Sequence, residues 1–297
     1  MLNIDNDLIP YKQITIDSQG KLQFFLEKHS TKEGTWGLLR LETGEIEFVI
    51  LDGEGRELSK HRIDKNNPQM SIPPASWHKI KLVSEKFTGT LEFYCKPHRY
   101  FNKKYSLGNV QSDLYYAYNT YFSKKNELNI LDIGCGSGRN LLYLALSGHQ
   151  LTGIDINQSS IQQVEEIIKK ENMSNIKLIT HDLCQPLTLQ KEAFDVVISI
   201  VSLQFLGTKC IPSLLTELQS TTVSKGLHLI LHPIKAELYS LPSSFTYLPE
   251  SKTLYHFYQD KGWSVLEYKE FVGHTHQRDD SGKPIRGLFA LLLAQKI

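Results

Sequence analysis

Two hydrophobic rhythms divide this chain of 297 residues. Between residues 10 and 96 the apolar positions fall in short, alternating or β-rich runs: "KLQFFLEKHS", "GTWGLLRLET", "GEIEFVILDGEG", "SIPPASWHKIKLV" and "GTLEFYCK". Alternation with a period of two marks strands with one buried face, and the Gly, Asp-Gly and Pro-Pro between them mark tight connections. Strands this closely spaced predict a small all-β sandwich or barrel. From residue 127 the rhythm changes. "LNILDIG", "QLTGIDI", "IKLITHDL", "FDVVISIV" and "LHLILHPI" are nearly continuous apolar runs, separated by helical patterns. Strands of that kind are buried on both faces, so the alternation predicts an α/β region: a mostly parallel sheet with helices on both sides.

The division predicts a β domain over residues 1–98 and an α/β domain over 99–297. The segment "PHRYFNKKYSLGNVQSDLYYAYNTYFSKKN" between the two textures is aromatic and basic, too amphipathic for a plain linker. Its second half reads as a helix packing on the larger domain. No repeat or low-complexity tract interrupts the chain.

Charge adds a constraint. With 33 basic and 32 acidic residues the formal net charge is +1, so no field of one sign points to nucleic acid or an acidic membrane as partner. The start, "MLNIDNDLIPYKQ", lacks the basic and apolar regions of a signal peptide, and no apolar run approaches a membrane span. Cysteines stand at 95, 135, 184 and 210 without CxxC spacing. A chain this large does not depend on disulfide staples, so all four read as reduced thiols, with Cys184 and Cys210 inert, in a cytoplasmic enzyme.

The densest chemical signal is "LDIGCGSGRN" at 131–140. An apolar strand runs into glycines at 134, 136 and 138, and a helical pattern follows. Ligands meet an open α/β sheet at the carboxyl ends of its strands, where bare backbone and a helix N-terminus offer N–H donors. A dinucleotide fingerprint needs G-x-G-x-x-G, and Arg139 occupies its last position, so that match fails. Asp155 ends the next strand in "TGIDIN", where a carboxylate accepts two ribose hydroxyl hydrogen bonds; with Asn157 it is also a candidate helix cap. Asp132 either braces the loop or touches the ligand. Cys135, between glycines, reads as a small loop side chain, and Asp195 as a strand-start residue.

This G-x-G-x-G loop, with "TGID", "THDL" and "FDVVISIVSLQFL" in order behind it, resembles the motifs of the class I S-adenosylmethionine-dependent methyltransferases. The resemblance implies S-adenosyl-L-methionine as cofactor. It implies that Asp182 holds the adenine amino group and the Leu183 N–H a ring nitrogen. Tyr105, Asp132, Gly134, Gly136, Gly138, Asn140, Asp155, Ile156 and Ser199 complete the cofactor set it implies.

"YCKPHRYFNKKY", the glycine-loop region and the ending "VGHTHQRDDSGKPIRGLFALLLAQK" further resemble the tellurite-resistance methyltransferase (TehB) family, and residues 11–96 resemble the cupin-like domain of its long forms. That likeness implies methylation of tellurite, and of selenium oxyanions, for detoxification. A reduced chalcogen oxyanion carries its own lone pair, so no general base is needed; cations and donors are. His274, His276, Arg278, Lys283 and Arg286 cluster in the last hairpin. The resemblance implies His276 and Arg286 as the catalytic pair. Pro284 stands where the family often has a basic residue, so Arg286 substitutes from two positions on, and which arginine meets the oxyanion stays open. Arg278 reads as part of a solvated turn, and Arg139 either braces the glycine loop or faces the site.

In the β domain "PPASWHKI" resembles the second cupin motif, but the H-x-H motif is missing. Glu27, His29, His61 and His78 lack ligand spacing, so no metal is expected; His78 reads as a half-buried strand residue. The domain reads as a regulatory, binding or dimerisation module, and a homodimer is the assembly to look for. Two rival readings stand beside tellurite methylation. One is a methyltransferase of a small organic thiol, amine or carboxylate; the other is a cofactor-binding sensor with vestigial catalysis.

Overall fold

The computed structural model describes residues 7–18, 23–125 and 127–297; the side chains of Gln23, Phe24 and His276 lie outside the description. The chain forms two compact units, Met1–Asn109 and Val110–Ile297.

The first unit is a sandwich of two antiparallel four-stranded sheets. One sheet, in the order β1 (Ile9–Asp17), β8 (Thr88–Cys95), β3 (Trp36–Thr43), β6 (Gln69–Ile72), faces β2 (His29–Ser30), β7 (Trp77–Leu82), β4 (Ile46–Leu51), β5 (Glu57–Ile63). The alternating residues do what alternation predicts. Ile16, Leu39, Leu41, Ile46, Phe48, Ile80 and Leu91 meet in one core, while Arg40, Glu42, Glu47, Lys79 and Lys81 between them are partly or fully exposed. Short helices α1 (Gln23–Leu26) and α2 (Tyr100–Tyr105) belong to this unit.

His78 differs from expectation. It lies in β7 and is only 4% exposed, because its ring stacks on Phe48 at 4.9 Å and meets His29 edge-on at 4.2 Å. A six-residue pattern such as "WHKIKL" does not tell which face of its strand has a second sheet above it.

The second unit holds one seven-stranded sheet, ordered β11 (Ile176–Thr180), β10 (Gln150–Asp155), β9 (Asn129–Ile133), β12 (Phe194–Ile200), β13 (Thr222–Ile234), β15 (Pro284–Gln295), β14 (Ser264–Arg278). The first five are parallel, β15 runs against them, and β14, antiparallel to β15, runs their way again. From β9 the chain steps outward to β10 and β11, then returns to the other side of β9 with β12, so the order reverses between β9 and β12. That reversal is the topological switch point where open α/β sheets bind ligands.

Helices α4 (Arg139–Leu146), α5 (Gln158–Glu171), α6 (Ile211–Thr221) and α7 (Thr253–Asp260) complete the layers. One core sets Leu131, Ile133, Ile154 and Val197 from the strands against Leu214, Leu215 and Leu218 of α6 and Leu254 and Tyr258 of α7. The expected connector helix is α3 (Ser112–Ala117), continued by a π turn over Tyr118–Phe122. Leu114, Ala117 and Phe122 are buried, and the Tyr118 ring meets Tyr143 of α4 at 5.5 Å.

The cysteine reading needs correction. Cys184 and Cys210, expected to be separate, inert thiols, are joined in a disulfide with Cα atoms 5.2 Å apart. The turn after β11 and the residue before α6 meet in space across 26 positions of sequence, and nothing local in either segment announces that approach. Cys95 and Cys135 are free and buried.

Candidate functional site: the carboxyl ends of the central strands

The site grows from β9. Its residues Ile130 to Ile133 are wholly buried, and β10 and β12 hydrogen-bond on either side, so its carboxyl end is held rigidly. The chain then turns on three glycines, all with left-handed φ, which differ in what a side chain there would meet. A Cβ at Gly134 would lie 2.3 Å from the Ser202 Cβ, and one at Gly138 would lie 2.8 Å from a Val164 methyl. These two let the loop press against its neighbours. Gly136 is different: a Cβ there would meet nothing within 4 Å, yet its φ of +54° is left-handed. Its open side is bare main chain facing space.

Asp155, at the end of β10, ties this loop down. Its Oδ2 accepts from the Gly136 N–H at 2.8 Å, and its Oδ1 accepts from the Asn157 N–H at 2.8 Å. The helix-cap alternative is thereby resolved. Asn157 caps α5, its Oδ1 accepting from the Ser160 N–H at 3.1 Å, while Asp155 stands outside the helix and half-buried. Ile156 follows with 66% of its surface exposed, an apolar side chain held in the open beside a polar loop. The next loop is joined to the same place, since the His181 N–H donates to the Asp155 carbonyl at 3.1 Å. Asp182 closes its own turn by accepting from the Cys184 N–H at 2.9 Å, and the Leu183 side chain is buried in the core.

Electrostatics single out Asp132. It is 2% exposed, and its Oδ2 has no hydrogen-bond partner. Burial pushes its pKa up to about 8; the Arg139 guanidinium pulls the other way and the Asp155 carboxylate adds to the rise. Arg139 is half-buried, and burial lowers its own pKa against the attraction of Asp132. Burial, then Asp132 and Asp155, push the Cys135 thiol far up, which keeps it protonated and unreactive.

The remaining expected residues divide. Ser199, at 1% exposure, shares a 2.8 Å hydrogen bond with Ser202, which packs on Gly134. Asn140 is buried and spends its Oδ1 on the Gln111 N–H at 3.1 Å, anchoring the segment before α3. Tyr105 lies in α2 of the first unit, its ring stacked on Phe101 at 6.2 Å. Asp195 braces a strand start by accepting from the Asn129 N–H at 2.8 Å.

Sequence reasoning missed two neighbours. Val201 adopts φ +55° just past β12, costly for a β-branched residue, and its N–H is held by the Leu231 carbonyl at 2.7 Å. Gln204, fully buried, donates its Nε2 to the Val201 carbonyl at 2.8 Å. Only the strain of the turn marks them, and strain has no sequence signature in "SLQ".

The last hairpin reaches the same edge of the sheet. Ile234, the last residue of β13, pairs with Leu288, so Pro284 to Gly287 and their partners Gly273 to Arg278 overhang the carboxyl ends of the parallel strands. His274 and Arg286 face each other in register, both exposed. The Arg286 guanidinium lies 5.9 Å over the Tyr239 ring, and among the described residues no carboxylate pairs with it. Arg278 is spent on the Gly282 carbonyl at 2.6 Å, as its turn setting predicts. The backbone of His276 runs within β14, and its side chain lies outside the described residues.

The family described as "Tellurite resistance protein TehB" matches residues 93–293, and the "TehB-like domain" matches residues 20–93. The chain belongs to the TehB family. It is 35% identical over 292 residues to the Haemophilus influenzae protein named "Probable S-adenosyl-L-methionine-dependent methyltransferase TehB", covering 98% of this chain and 99% of the relative. The crystal structure of TehB from Haemophilus influenzae superposes with a TM-score of 0.90 at 33% identity, over 98% of this chain and 99% of that one. A more distant relative, "Hemagglutinin 1" of Eikenella corrodens, is 27% identical over 84% of this chain and 80% of its own length. Membership in the TehB family makes this chain an S-adenosylmethionine-dependent methyltransferase with a class I fold behind an all-β unit. Its residues fit that cofactor. Gly136 leaves open space where a side chain would stand, Asp132 keeps an orphaned buried carboxylate oxygen, and Ile156 holds an apolar side chain beside the Asp155 carboxylate.

Proposed function

We propose that this chain methylates tellurite, and with it selenium oxyanions of the same charge and shape. The observation that carries the reading is the overhang of the β14–β15 hairpin. It brings an exposed arginine, Arg286, to the sheet edge where the glycine loop ends, with no carboxylate among the described residues to neutralise it. The name of the matching family, a tellurite resistance protein, supports the same substrate.

When bound, S-adenosylmethionine supplies an electrophilic methyl group on a sulfonium sulfur. Asp155 would hold the ribose hydroxyls, since each of its oxygens carries one backbone hydrogen bond and has a lone pair left over. The Gly134–Gly136 main chain would face the methionine part, and Asp132 Oδ2 would take its ammonium group. Ile156 would cover one face of the adenine, with the Asp182 turn at its rim.

The oxyanion asks the chain for charge and donors, because it must exchange its water shell for them. Arg286 offers several donors and never loses its charge, and His274 and His276 of the same hairpin add imidazole donors. Tellurium(IV) keeps its own lone pair, so no residue has to remove a proton. Positioning is then the chain's main contribution, worth up to about 7–11 kcal/mol in ideal cases. The test is steady-state release of S-adenosylhomocysteine with tellurite, selenite and a panel of small thiols, amines and carboxylates. Tellurite-dependent turnover that falls in Arg286→Ala at unchanged cofactor affinity supports the reading. Turnover only on an organic acceptor would replace it.

A further inference from the structure

The two sheets of the first unit leave space between them. A cavity of about 650 Å³ is lined from both, by β1, β6 and β8 on one side and β2 and β7 on the other. That volume lies in the range of sites for small organic ligands. Its wall has three chemical parts. Phe25, Ile72, Leu91 and Phe93 make an apolar part. Lys12, Lys32 and Lys103 bring three cations against one carboxylate, Asp17. His29 and His78 add a pair of imidazoles with ring centroids 4.2 Å apart.

Among the described residues the cations are compensated only in part, by Asp17 in the wall and by the attraction of Glu33 on Lys103. Among the described residues no salt bridge reaches Lys12, Lys32 or Lys103. Lys103 donates to the Glu33 carbonyl at 3.1 Å, and Arg99 donates to the same carbonyl at 3.0 Å, which gathers positive charge on one backbone oxygen. Burial lowers the Lys103 pKa, and repulsion from Arg99 and Lys32 lowers it further. A cluster of like charges facing a half-apolar cavity is stabilised by an anion.

The imidazoles define the third contact. His78 Nδ1 lies 2.8 Å from the Ser76 carbonyl and His29 Nδ1 lies 2.9 Å from the Glu27 carbonyl. A carbonyl only accepts, so each Nδ1 carries the proton and each Nε2 carries the lone pair. Burial, with the His29 ring beside it, pushes the His78 pKa down to about 4, so the ring stays neutral and accepting at physiological pH. Among the described residues no third His, Cys, Asp or Glu joins the pair, so the donor set falls short of the three or four that hold a metal.

We propose that this cavity binds a small amphipathic organic anion, its apolar body between Phe25, Ile72, Leu91 and Phe93, its charge at Lys32 and Lys103, and a hydroxyl or amine donor at His78. An inorganic oxyanion would leave the apolar wall uncovered, and a neutral apolar molecule would leave the lysines unpaired. The β unit is then a ligand-binding module with a site separate from the glycine-loop site of the α/β unit.

The probe is 1-anilinonaphthalene-8-sulfonate, which has an aromatic body, a sulfonate and one N–H donor. It is titrated by fluorescence into the full chain saturated with S-adenosylhomocysteine, so that the cofactor site is filled. N-phenyl-1-naphthylamine, the same body without the sulfonate, is run in parallel. One saturable site for the anion is expected. Lys32→Glu and Lys103→Glu should each raise its Kd about tenfold or more, the scale of one lost charged contact, while changing the neutral analogue less than about twofold. His78→Phe keeps a flat ring of similar size and should weaken both probes about threefold or more by removing the acceptor. A parent-like far-ultraviolet circular dichroism spectrum and a retained cooperative unfolding transition of the β unit certify that each variant is folded. Absence of saturable binding, or an anion affinity indifferent to either lysine reversal or to His78→Phe, overturns the assignment.

Discussion

The two units make room for a small molecule in opposite ways. In the α/β unit the space is made of backbone. The apolar strand β9 stops, three glycines carry the chain round the switch point, and its open side is the bare main chain of Gly136, one strand-end carboxylate and one exposed isoleucine. In the β sandwich the space is made of side chains. Regular strands continue past the cavity, and it is lined by side chains of β1, β2, β6, β7 and β8 together with those of α1, α2 and the loop after β2. A backbone site needs particular residue types, because only glycine tolerates the close approach and the left-handed φ at once. A side-chain site needs only the right volume, so many sequences build one and none advertises it.

The largest expected effect falls on the backbone site. Gly136→Val fills the open side of the loop and should weaken S-adenosylhomocysteine binding by more than about 100-fold, read by calorimetry. Its cost in stability should stay near the 1–2 kcal/mol, roughly, of a left-handed β-branched residue. Gly138→Ala should reverse that emphasis. Its Cβ would meet a Val164 methyl at 2.8 Å, so unfolding should shift by about 1–3 kcal/mol with a smaller change in affinity. If both variants lose binding and stability alike, the division of labour along the loop is wrong.

Next in size is Asp155→Ala. It removes the carboxylate proposed to hold the ribose and also frees the Gly136 N–H, so cofactor affinity should fall by about 1.5–3 kcal/mol, roughly 10–150-fold. A folded variant that binds as tightly as the parent would remove Asp155 from the site. Arg286→Ala should lower tellurite turnover about 10- to 100-fold while the cofactor Kd stays within about twofold. A matching loss in both would make Arg286 a structural residue instead.

The pH dependence tests the same contrast through two buried groups whose shifts have opposite sign. The Asp132 pKa rises from 3.8 to about 8 in the fold, so between those values the folded chain holds a proton that the unfolded chain has released. Its contribution therefore erodes stability as pH rises towards 8, and Asp132→Asn should flatten that decline in thermal unfolding. His78 drops from 6.5 to about 4, so between those values the unfolded chain binds the extra proton. Its contribution is full above pH 6.5 and fades as pH falls towards 4, and His78→Phe should flatten that acid-side loss. Identical slopes in parent and variant would show that burial does not hold these groups as described.

Much of this molecule is legible in its residues alone. Alternation against continuous apolar runs separates an all-β unit from a parallel sheet, because burial on one face or two writes a different period into the strands. Glycines at 134, 136 and 138 and Asp155 mark the turn at the carboxyl end of β9, because close approach, left-handed φ and a carboxylate that accepts backbone N–H groups restrict residue identity. Other features come only from the tertiary structure. Cys184 and Cys210 are bonded because a turn and a helix start are brought together across 26 residues. His78 is buried because a second sheet covers its strand. Asp132 holds its proton near neutrality because no water reaches it, and Asn140 serves a strap ahead of α3. Each of these depends on what lies across a gap in space, and a one-dimensional pattern records which face of an element is apolar but not what is packed against it.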